Sequence, residues 1–509
     1  MSTKTVAYDV IIAGAGPTGL MLAGELAMAG VRCRVVERRE DRTRESRALG
    51  LHGRTMEVLN MRGLAEEVLA RANPIPQVRV SLGHSLFDMS RLATDYGQLT
   101  IIPQGETEEI LEKRATDLGV AVDRGVALTG CRQNGPVVHC TLEQNGKVWE
   151  ESASWLVGCD GSRSRVREAM GAEFTGATYP YTIIVADVRL GTPLDDQLLI
   201  RVGRAGLVVA TDFGNGWYRM GVIDRDKPWS DEPVTLDEVE RTLAKLFGRN
   251  MRPSEPLWTS RFPISVSMCI RDSIQERQAS FYRQGRMLIA GDAAHVHSPL
   301  GGQGLNLGIQ DAMNLGWKLG AVVGGRASDD LLDTFELERR RVSQGVIKVT
   351  DIATRMMTSD RLPARIARRT VMSVASRIPA THRTAVGHLS GIATRYPTMA
   401  SAVGASPLTG TRVPDLRVAG HGAPVRIHEA LRHGGFVLID REDGAPLLPA
   451  VAEGDGRLVR IGGRIVADSG PWNKPEVVLI RPDGYCAWAG PRARARQELA
   501  LACRRWVQS

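Results

Sequence analysis

The chain has 509 residues, 43% hydrophobic and 24% charged, enough for two or three domains with a sizeable core and too apolar for a disordered chain. Its net charge of +8, from 65 basic and 57 acidic residues, suits a surface that attracts anionic cofactors but is too diffuse to mark a nucleic-acid face. Seven scattered cysteines without a CxxC argue against a disulfide framework or a zinc site.

The N-terminal run MSTKTVAYDVIIAGAG passes from a short apolar stretch into a glycine turn, unlike a signal peptide. No stretch approaches the ~18 apolar residues of a membrane helix. The chain therefore reads as soluble and cytoplasmic, with no membrane and no nucleic acid among its partners.

YDVIIA at 8–13 predicts a buried parallel strand, GAGPTG follows at 14–19, and LMLAGELAMAG continues at helical spacing. Strand, GxGxxG and helix occur in the order that dinucleotide binding requires. Gly14 permits the tight turn, Gly16 lets a pyrophosphate approach the backbone, and Gly19 allows close helix–strand contact. The helix N-terminal N–H groups then face the phosphates. A second strand, CRVVE, ends at Glu37, 21 residues after Gly16, where a ribose-binding acid belongs. FAD and NAD both remain open at this point.

Further along, TIIVADVRL, QLLIRVG, GLVVATDF and WYRMGVID alternate or run apolar like strands, and DEVERTLAKLF (237–247) reads as a helix. RMLIA (286–290) is another buried strand. The segment after it, GDAAHVHSPLGGQGLNLGIQDAMNLGWKL (291–319), carries six glycines. A helix interior loses roughly 1 kcal/mol per Gly relative to Ala, so this density requires a reason. Leu305, Ile309, Met313 and Trp317 recur at four-residue steps, which places Asp292 at a strand end and Gly301, Gly302 and Gly304 at a helix start. There the carboxylate can accept from sugar hydroxyls, and a flat ring can lie against bare backbone. The positive end of the helix favours negative charge on that ring, which suits a flavin, anionic near N1 and O2 when reduced. His295 and His297 form an HxH near Asp292, but without a third and fourth ligand no metal site is expected.

From about 320 to 400 the chain reads as helical and basic. Residues 361–395 carry seven Arg and no acid, most simply a solvated helical face. SPLTGTRVPDLRV (406–418) suggests a linker. GGFVLID, GRLVRIGG and EVVLIRPDGYCAWAG then resume strands.

GAGPTG at 14–19, GCDGSRSRVR at 158–167 and GDAAHVHSPLGGQGLN at 291–306 resemble the three motifs of the class A flavoprotein monooxygenases, the aromatic hydroxylases of the para-hydroxybenzoate hydroxylase fold. RALGLHGRTMEVL (47–59) and IPQGETEEIL (102–111) fit the same pattern, so the resemblance spans roughly 8–350. It is nearest to bacterial polyketide hydroxylases and rifampicin monooxygenases. The fold it implies is α/β: a Rossmann-like (GR2-type) FAD-binding domain in two parts (1–175 and 286–400, the latter with a helical region), interrupted by a mostly antiparallel substrate sheet (176–285). RPDGYCAW resembles a C-terminal thioredoxin-like domain (401–509) that lacks CxxC, so a structural or dimer-contact role is expected there. A homodimer is compatible with this reading.

By the same resemblance, Gly14, Gly16, Pro17, Thr18 and Gly19 flank the FAD pyrophosphate, Glu37 the adenosine ribose, and Arg38 lies beside it. Arg47 and Gln104 reach the phosphates or ribityl chain, and Val126 meets the adenine through its backbone. Asp292 holds the ribityl hydroxyls. Pro299, Gly301, Gly302, Leu305 and Asn306 surround the isoalloxazine. Asp160 lies where both FAD and the nicotinamide cofactor are engaged. Phe213, Arg219, Met220 and Trp258 are candidates to line the substrate cavity, with Phe87 and Met89 weaker ones.

The chemistry implied is hydroxylation of a polycyclic aromatic: NADPH or NADH reduces FAD, O2 adds as a C4a-hydroperoxide, and one oxygen atom passes to the ring. His52 and Arg54 are the nearest candidates for proton transfer, and no catalytic residue is assigned. Baeyer–Villiger insertion, antibiotic inactivation, an FAD oxidase or reductase, and a non-enzymatic flavin-binding protein are the rival readings.

Overall fold

The run Tyr8–Ala13, fully buried from Val10 to Ile12, forms the middle strand of a largely parallel sheet. It pairs in parallel with Cys33–Glu37 on one side and with the end of Lys147–Gly158 on the other. Ala121–Arg124 and Met287–Ile289 extend this sheet outward, again in parallel. The register sets Ala13 beside both Val36 and Gly158, and Gly158 beside Ile289. Three strand ends therefore line up on one edge, and each is followed directly by one of the three glycine-bearing motifs. In the computed structural model described here, placement is given for residues 7–42, 48–80, 85–178, 181–227, 232–264, 275–298, 301–359, 361–397, 406–420, 422–442, 447, 457–466 and 469–506. Arg47 and Pro299 lie outside the described residues.

Two helices cover one face of this sheet, Pro17–Met28 and Gln303–Val323. They approach through missing side chains. A Cβ added at Gly316 would stand 2.4 Å from Glu25 Cβ, and one at Gly320 would stand 2.5 Å from Ala29 Cβ. Lys147–Gly158 changes partners along its length. Its first half pairs antiparallel with Val137–Gln144, which pairs in turn with Ala127–Asn134.

The inserted sheet has seven strands, in the order Pro253–Ile264, Tyr181–Leu190, Trp217–Asp224, Gly206–Asp212, Leu198–Val202, Gln77–Val80 and Ser85–Asp88. The last two come from the first third of the chain, where the sequence pattern gave no regular strand. Gln77–Val80 joins Leu198–Val202 in parallel, and every other pair is antiparallel. One face of the sheet packs on the helix Leu236–Phe247, in a core that includes Ala186, Val188, Met220, Val222, Val239 and Leu243. The other face meets the helical region, where Met357 and Met372 cover Ile183, Leu207 and Ile223.

That helical region comprises Asp333–Thr358, Leu362–Arg377 and Pro379–Leu389. Its basic stretch is not simply a solvated polar face. Arg368 turns inward, and its Nη1 donates to the carbonyls of Met356 (3.0 Å) and Ser359 (3.2 Å). Leu362, Ile366, Val371, Val374 and Ile378 face outward.

The tail forms a four-stranded sheet in the order Leu458–Gly462, Phe436–Asp440, Val477–Ile480, Cys486–Gly490. The first pair is parallel and the others antiparallel, and the helix Arg492–Trp506 follows, which is the arrangement of a thioredoxin-like sheet. The expected linker is not a free connection: Val413 and Leu416 are buried in the main core.

Candidate active site

The first glycine turn is shaped by exclusion. Gly14 has φ +104°, and a Cβ on it would lie 2.3 Å from the Cys159 carbonyl oxygen; one on Gly19 would lie 2.0 Å from the Gly14 carbonyl oxygen. Around Gly16 there is nothing within 4 Å of an added Cβ. Gly16 also caps Pro17–Met28 without a side-chain hydrogen bond, so the helix N–H groups face open space. The Thr18 side chain points elsewhere: its Oγ1 fills the hollow between Gly291 and Gly308, 2.5 and 2.2 Å from a Cβ at each. Only the Thr18 backbone is left for a phosphate.

Glu37 does more than end its strand. Its Oε2 accepts from the Ala15 N–H (2.9 Å) and its Oε1 from the Arg39 N–H (3.0 Å), so the acid braces the turn it was expected to serve across a ribose. Arg38 beside it is exposed. The Val126 N–H donates to the Glu37 carbonyl (2.9 Å). Gln104 links the Ala48 N–H (3.2 Å) to Glu108, its amide donating to Glu108 Oε1 (2.7 Å). Burial pushes the Glu108 carboxyl up.

Asp160 follows the second aligned strand. Its Oδ2 accepts from the N–H groups of Arg165 (2.7 Å) and Val166 (3.3 Å), fixing the start of the helix Arg165–Ala169. Its Oδ1 is buried, and burial raises the carboxyl above the usual range.

The third motif begins at Gly291, with φ +60°, and leaves Asp292 exposed on the same edge. Gly301 and Gly302, at φ +101° and +61°, are exposed and lead into Gln303–Val323, which has no side-chain cap. Two buried groups tie this loop down. His52 Nε2 donates to the Gly301 carbonyl (2.8 Å), and burial holds the imidazole down at about 4, so it is neutral at pH 7. Asn306 donates to the carbonyls of Gly50 (2.9 Å) and Gly302 (2.8 Å) and accepts from the His52 N–H (2.8 Å). The Asn306 side chain thus binds two loops together instead of projecting into the space beside them. Leu305 packs against the core.

The two histidines of the HxH take different routes. His295 Nε2 meets Asp311 Oδ2 at 2.7 Å in the interior, and His297 Nδ1 donates to the Ser298 carbonyl at 3.1 Å. No cluster of three metal-ligating groups occurs among the described residues. Arg54 is also committed elsewhere: it is buried, donating to Glu57 (2.9 Å) and to the Asp483 carbonyl (2.5 Å).

The substrate-side candidates separate by strand face. Arg219 is gripped by both oxygens of Asp187 (2.7 and 2.6 Å), Trp258 Nε1 donates to the same carboxylate (2.6 Å), and the guanidinium lies 5.2 Å from the Trp258 ring. Its remaining Nη1 reaches the Ala48 carbonyl (3.4 Å), so this face looks toward the loop leading to His52. Met220, the next residue along the strand, points the other way and is buried against Leu236–Phe247, away from that loop. Phe213, Phe87 and Met89 belong to one apolar cluster with Leu49, Ile101, Val386 and Leu389. Leu389 reaches the glycine loop: its Cδ1 is 3.4 Å from a Cβ at Gly301. Asp187 was missed in the sequence, although it is the lone acid in YTIIVADVRL, and an acid on a buried strand requires a partner.

The residues on this edge suit FAD. An open hollow at Gly16, an uncapped helix start, an exposed acid at 292 and bare glycines at 301–302 match a pyrophosphate, a polyol and a flat ring. The fold and edge together define a dinucleotide-binding protein with an apolar cluster beside its glycine loop.

Known proteins narrow the class. Residues 7–350 match the FAD binding domain family, and residues 406–509 match the C-terminal domain of aromatic-ring hydroxylases. The chain is 36% identical to the 12-dehydrotetracycline 5-monooxygenase/anhydrotetracycline 6-monooxygenase of Streptomyces rimosus, over 98% of both chains. It is 35% identical to the rifampicin monooxygenase of Streptomyces venezuelae, again over 98% of each. The solved structure of the anhydrotetracycline hydroxylase OxyS from Streptomyces rimosus superposes with a TM-score of 0.87, at 35% identity, over 98% of this chain and 99% of that one. The chain belongs to the FAD-binding aromatic-ring hydroxylases and is a flavin-dependent monooxygenase.

Proposed function

We propose that this enzyme hydroxylates a polycyclic aromatic substrate of polyketide type, using O2 and FAD reduced by NADPH or NADH. The observation that carries the reading is the apolar wall beside the glycine loop. Leu389 Cδ1 stands 3.4 Å from where a Cβ on Gly301 would lie, and Leu389 packs with Phe213, Phe87, Val386 and Leu49 in one apolar cluster. A broad aromatic skeleton buries more apolar area there than a single ring. Relatives named as an anhydrotetracycline monooxygenase and a rifampicin monooxygenase support the same substrate class.

Bound FAD supplies the redox chemistry that activates oxygen and passes one atom to an electron-rich ring. The chain's own residues hold it in place. The backbone from Gly14 to Gly19 receives the pyrophosphate on the helix N-terminus, with Glu37 bracing the turn from the ribose side and Val126 beside the adenine. Asp292 takes the ribityl hydroxyls. The Gly301–Gly302 backbone, kept in place by His52 and Asn306, would receive the flat ring. Arg219, paired with Asp187, brings a fixed cation near Ala48 without an unpaired charge. His52 is a poor proton acceptor here, because its Nε2 already donates and its basicity is depressed. Domain limits at 1–175, 176–285, 286–400 and 401–509 fit this division of labour, with Gln77–Val80 and Ser85–Asp88 lent to the middle sheet.

Anaerobic stopped-flow reduction with NADPH and with NADH, with and without fused-ring polyphenols and ansamycins, tests the proposal. One compound should speed flavin bleaching many-fold and gain one oxygen on aeration. Stoichiometric H2O2 with every compound and no oxygenated product would overturn it in favour of an oxidase.

A further inference from the structure

The C-terminal domain docks on the flavin-side helices through a buried network of charges, which is a costly way to hold two surfaces together. Its turn 481–485 inserts between them. Arg481 forks onto Glu338 with Nη1 and Nη2 (2.6 and 2.9 Å) and holds Asp483 through Nε (3.0 Å). Asn314, on Gln303–Val323, donates to both Glu338 (2.7 Å) and Asp483 (3.2 Å). Lys318 Nζ also donates to Glu338, at 2.8 Å.

The next residue after Glu338 continues the network inward. Arg339 Nε donates to Asp311 Oδ1 (2.6 Å), and its Nη1 donates to the Tyr396 hydroxyl (3.2 Å). The Tyr396 ring stacks on Tyr485 of the docking turn at 4.0 Å. Asp311, fully buried, spends its other oxygen on the third motif: Oδ2 accepts from the Gly291 N–H (3.1 Å) and from His295 Nε2 (2.7 Å). These two donors bracket Asp292.

We infer that Asp311 and Arg481 are positioning residues for the flavin, and that the C-terminal domain serves to hold the 291–295 turn in its binding shape. This rests on the reading that Asp292 receives the cofactor. A carboxylate suits position 311 because both of its oxygens meet donors. An amide has one acceptor oxygen, so Asp311→Asn sets an NH2 against either Arg339 or the Gly291 N–H. Removal of the Arg481 fork frees Glu338 and the Tyr485–Tyr396 stack that steadies Arg339, which loosens Asp311 from behind.

The test is FAD titration of the full-length apoprotein by flavin fluorescence, with the apoprotein melting temperature and the bound-flavin visible spectrum read in parallel. Asp311→Asn should weaken FAD by roughly tenfold or more, as expected for a buried charge-assisted contact, and Arg481→Met by a smaller factor. The double variant should be no weaker than Asp311→Asn, because both act on one route. If the two losses multiply, or if folded Arg481→Met melts lower yet binds FAD within about twofold of the parent, the inference is overturned. Should Arg481→Met fail to fold, Arg481→Lys, which keeps the charge and loses the fork, is judged by the same criterion. Asp292→Asn separates the two levels: unchanged FAD affinity there removes the underlying reading, whereas a loss there with none at 311 or 481 removes only the buttress.

Discussion

Gly16 and Gly19 sit three residues apart, yet a methyl group meets quite different surroundings at each. At Gly19 it collides with the Gly14 carbonyl oxygen, whereas at Gly16 it enters open space. Gly19→Ala should therefore lower the stability of the apoprotein itself. Gly16→Ala should leave apoprotein melting unchanged and still weaken FAD, because it fills the hollow meant for the pyrophosphate. Melting curves of both apoproteins, paired with FAD titration, check this; equal loss of apoprotein stability in both would be inconsistent with it. Burial also holds His52 and His297 down at about 4, against 6.5 for a free imidazole. Unfolded chains take up protons at these sites near pH 6.5, and the folded protein refuses them. The contribution is thus fully present above pH 6.5 and falls away as pH drops toward 4, by about 3 kcal/mol per site. Urea unfolding between pH 7 and 5 should show a stability drop that His297→Gln reduces. A drop of unchanged size in that variant would assign it to other groups.

At the scale of elements, glycines of two kinds serve the helix Gln303–Val323 and the loop before it. Those at 301 and 302 have positive φ and bare the loop, whereas Gly308, Gly316 and Gly320 are places where another side chain needs the room. Gly316→Ala, at 2.4 Å from Glu25 Cβ, forces Pro17–Met28 and Gln303–Val323 apart and should cost about 1–3 kcal/mol in chemical denaturation. A neutral or stabilising result would show that helix propensity outweighs the close approach. The strands of the inserted sheet show the corresponding limit of sequence patterning. WYRMGVID is apolar on both faces, with Tyr218, Met220 and Val222 against one partner and Ile223 against another. Period-two alternation finds the strand but does not say which face looks toward the cofactor, so Met220 and Arg219 read alike until their neighbours are known.

For the whole molecule, the tail is part of the fold's interior. Glu57 is held by Arg412 (2.5 Å), Glu25 by Arg62, and Arg62 in turn donates to the carbonyls of Leu431 and Pro482. A chain cut after residue 405 would take Arg412 from buried Glu57 and Arg481 from buried Glu338, and would leave Arg62 without the Leu431 and Pro482 carbonyls. It should express as aggregated or flavin-free protein, as judged by size-exclusion chromatography with absorbance in the visible. A monodisperse yellow fragment would refute this. In the tail sheet Cys486 is buried, and that burial pushes its thiol up.

Residue spacing alone is enough for the strand, glycine turn and helix of the first and third motifs, the acid at the end of the second strand, and Asp292 at a strand end. These are local: they depend on residues within one turn or one strand, and spacing records them. Tertiary contacts alone show that Ala13, Gly158 and Ile289 end on one edge, that Gln77–Val80 and Ser85–Asp88 join the distant sheet, and that Asp187 needs Arg219. They also show that His295 belongs to Asp311, and that the RPDGYC turn closes on Glu338. Buried charges choose partners across hundreds of residues by desolvation and geometry, and no periodicity in the chain encodes that choice.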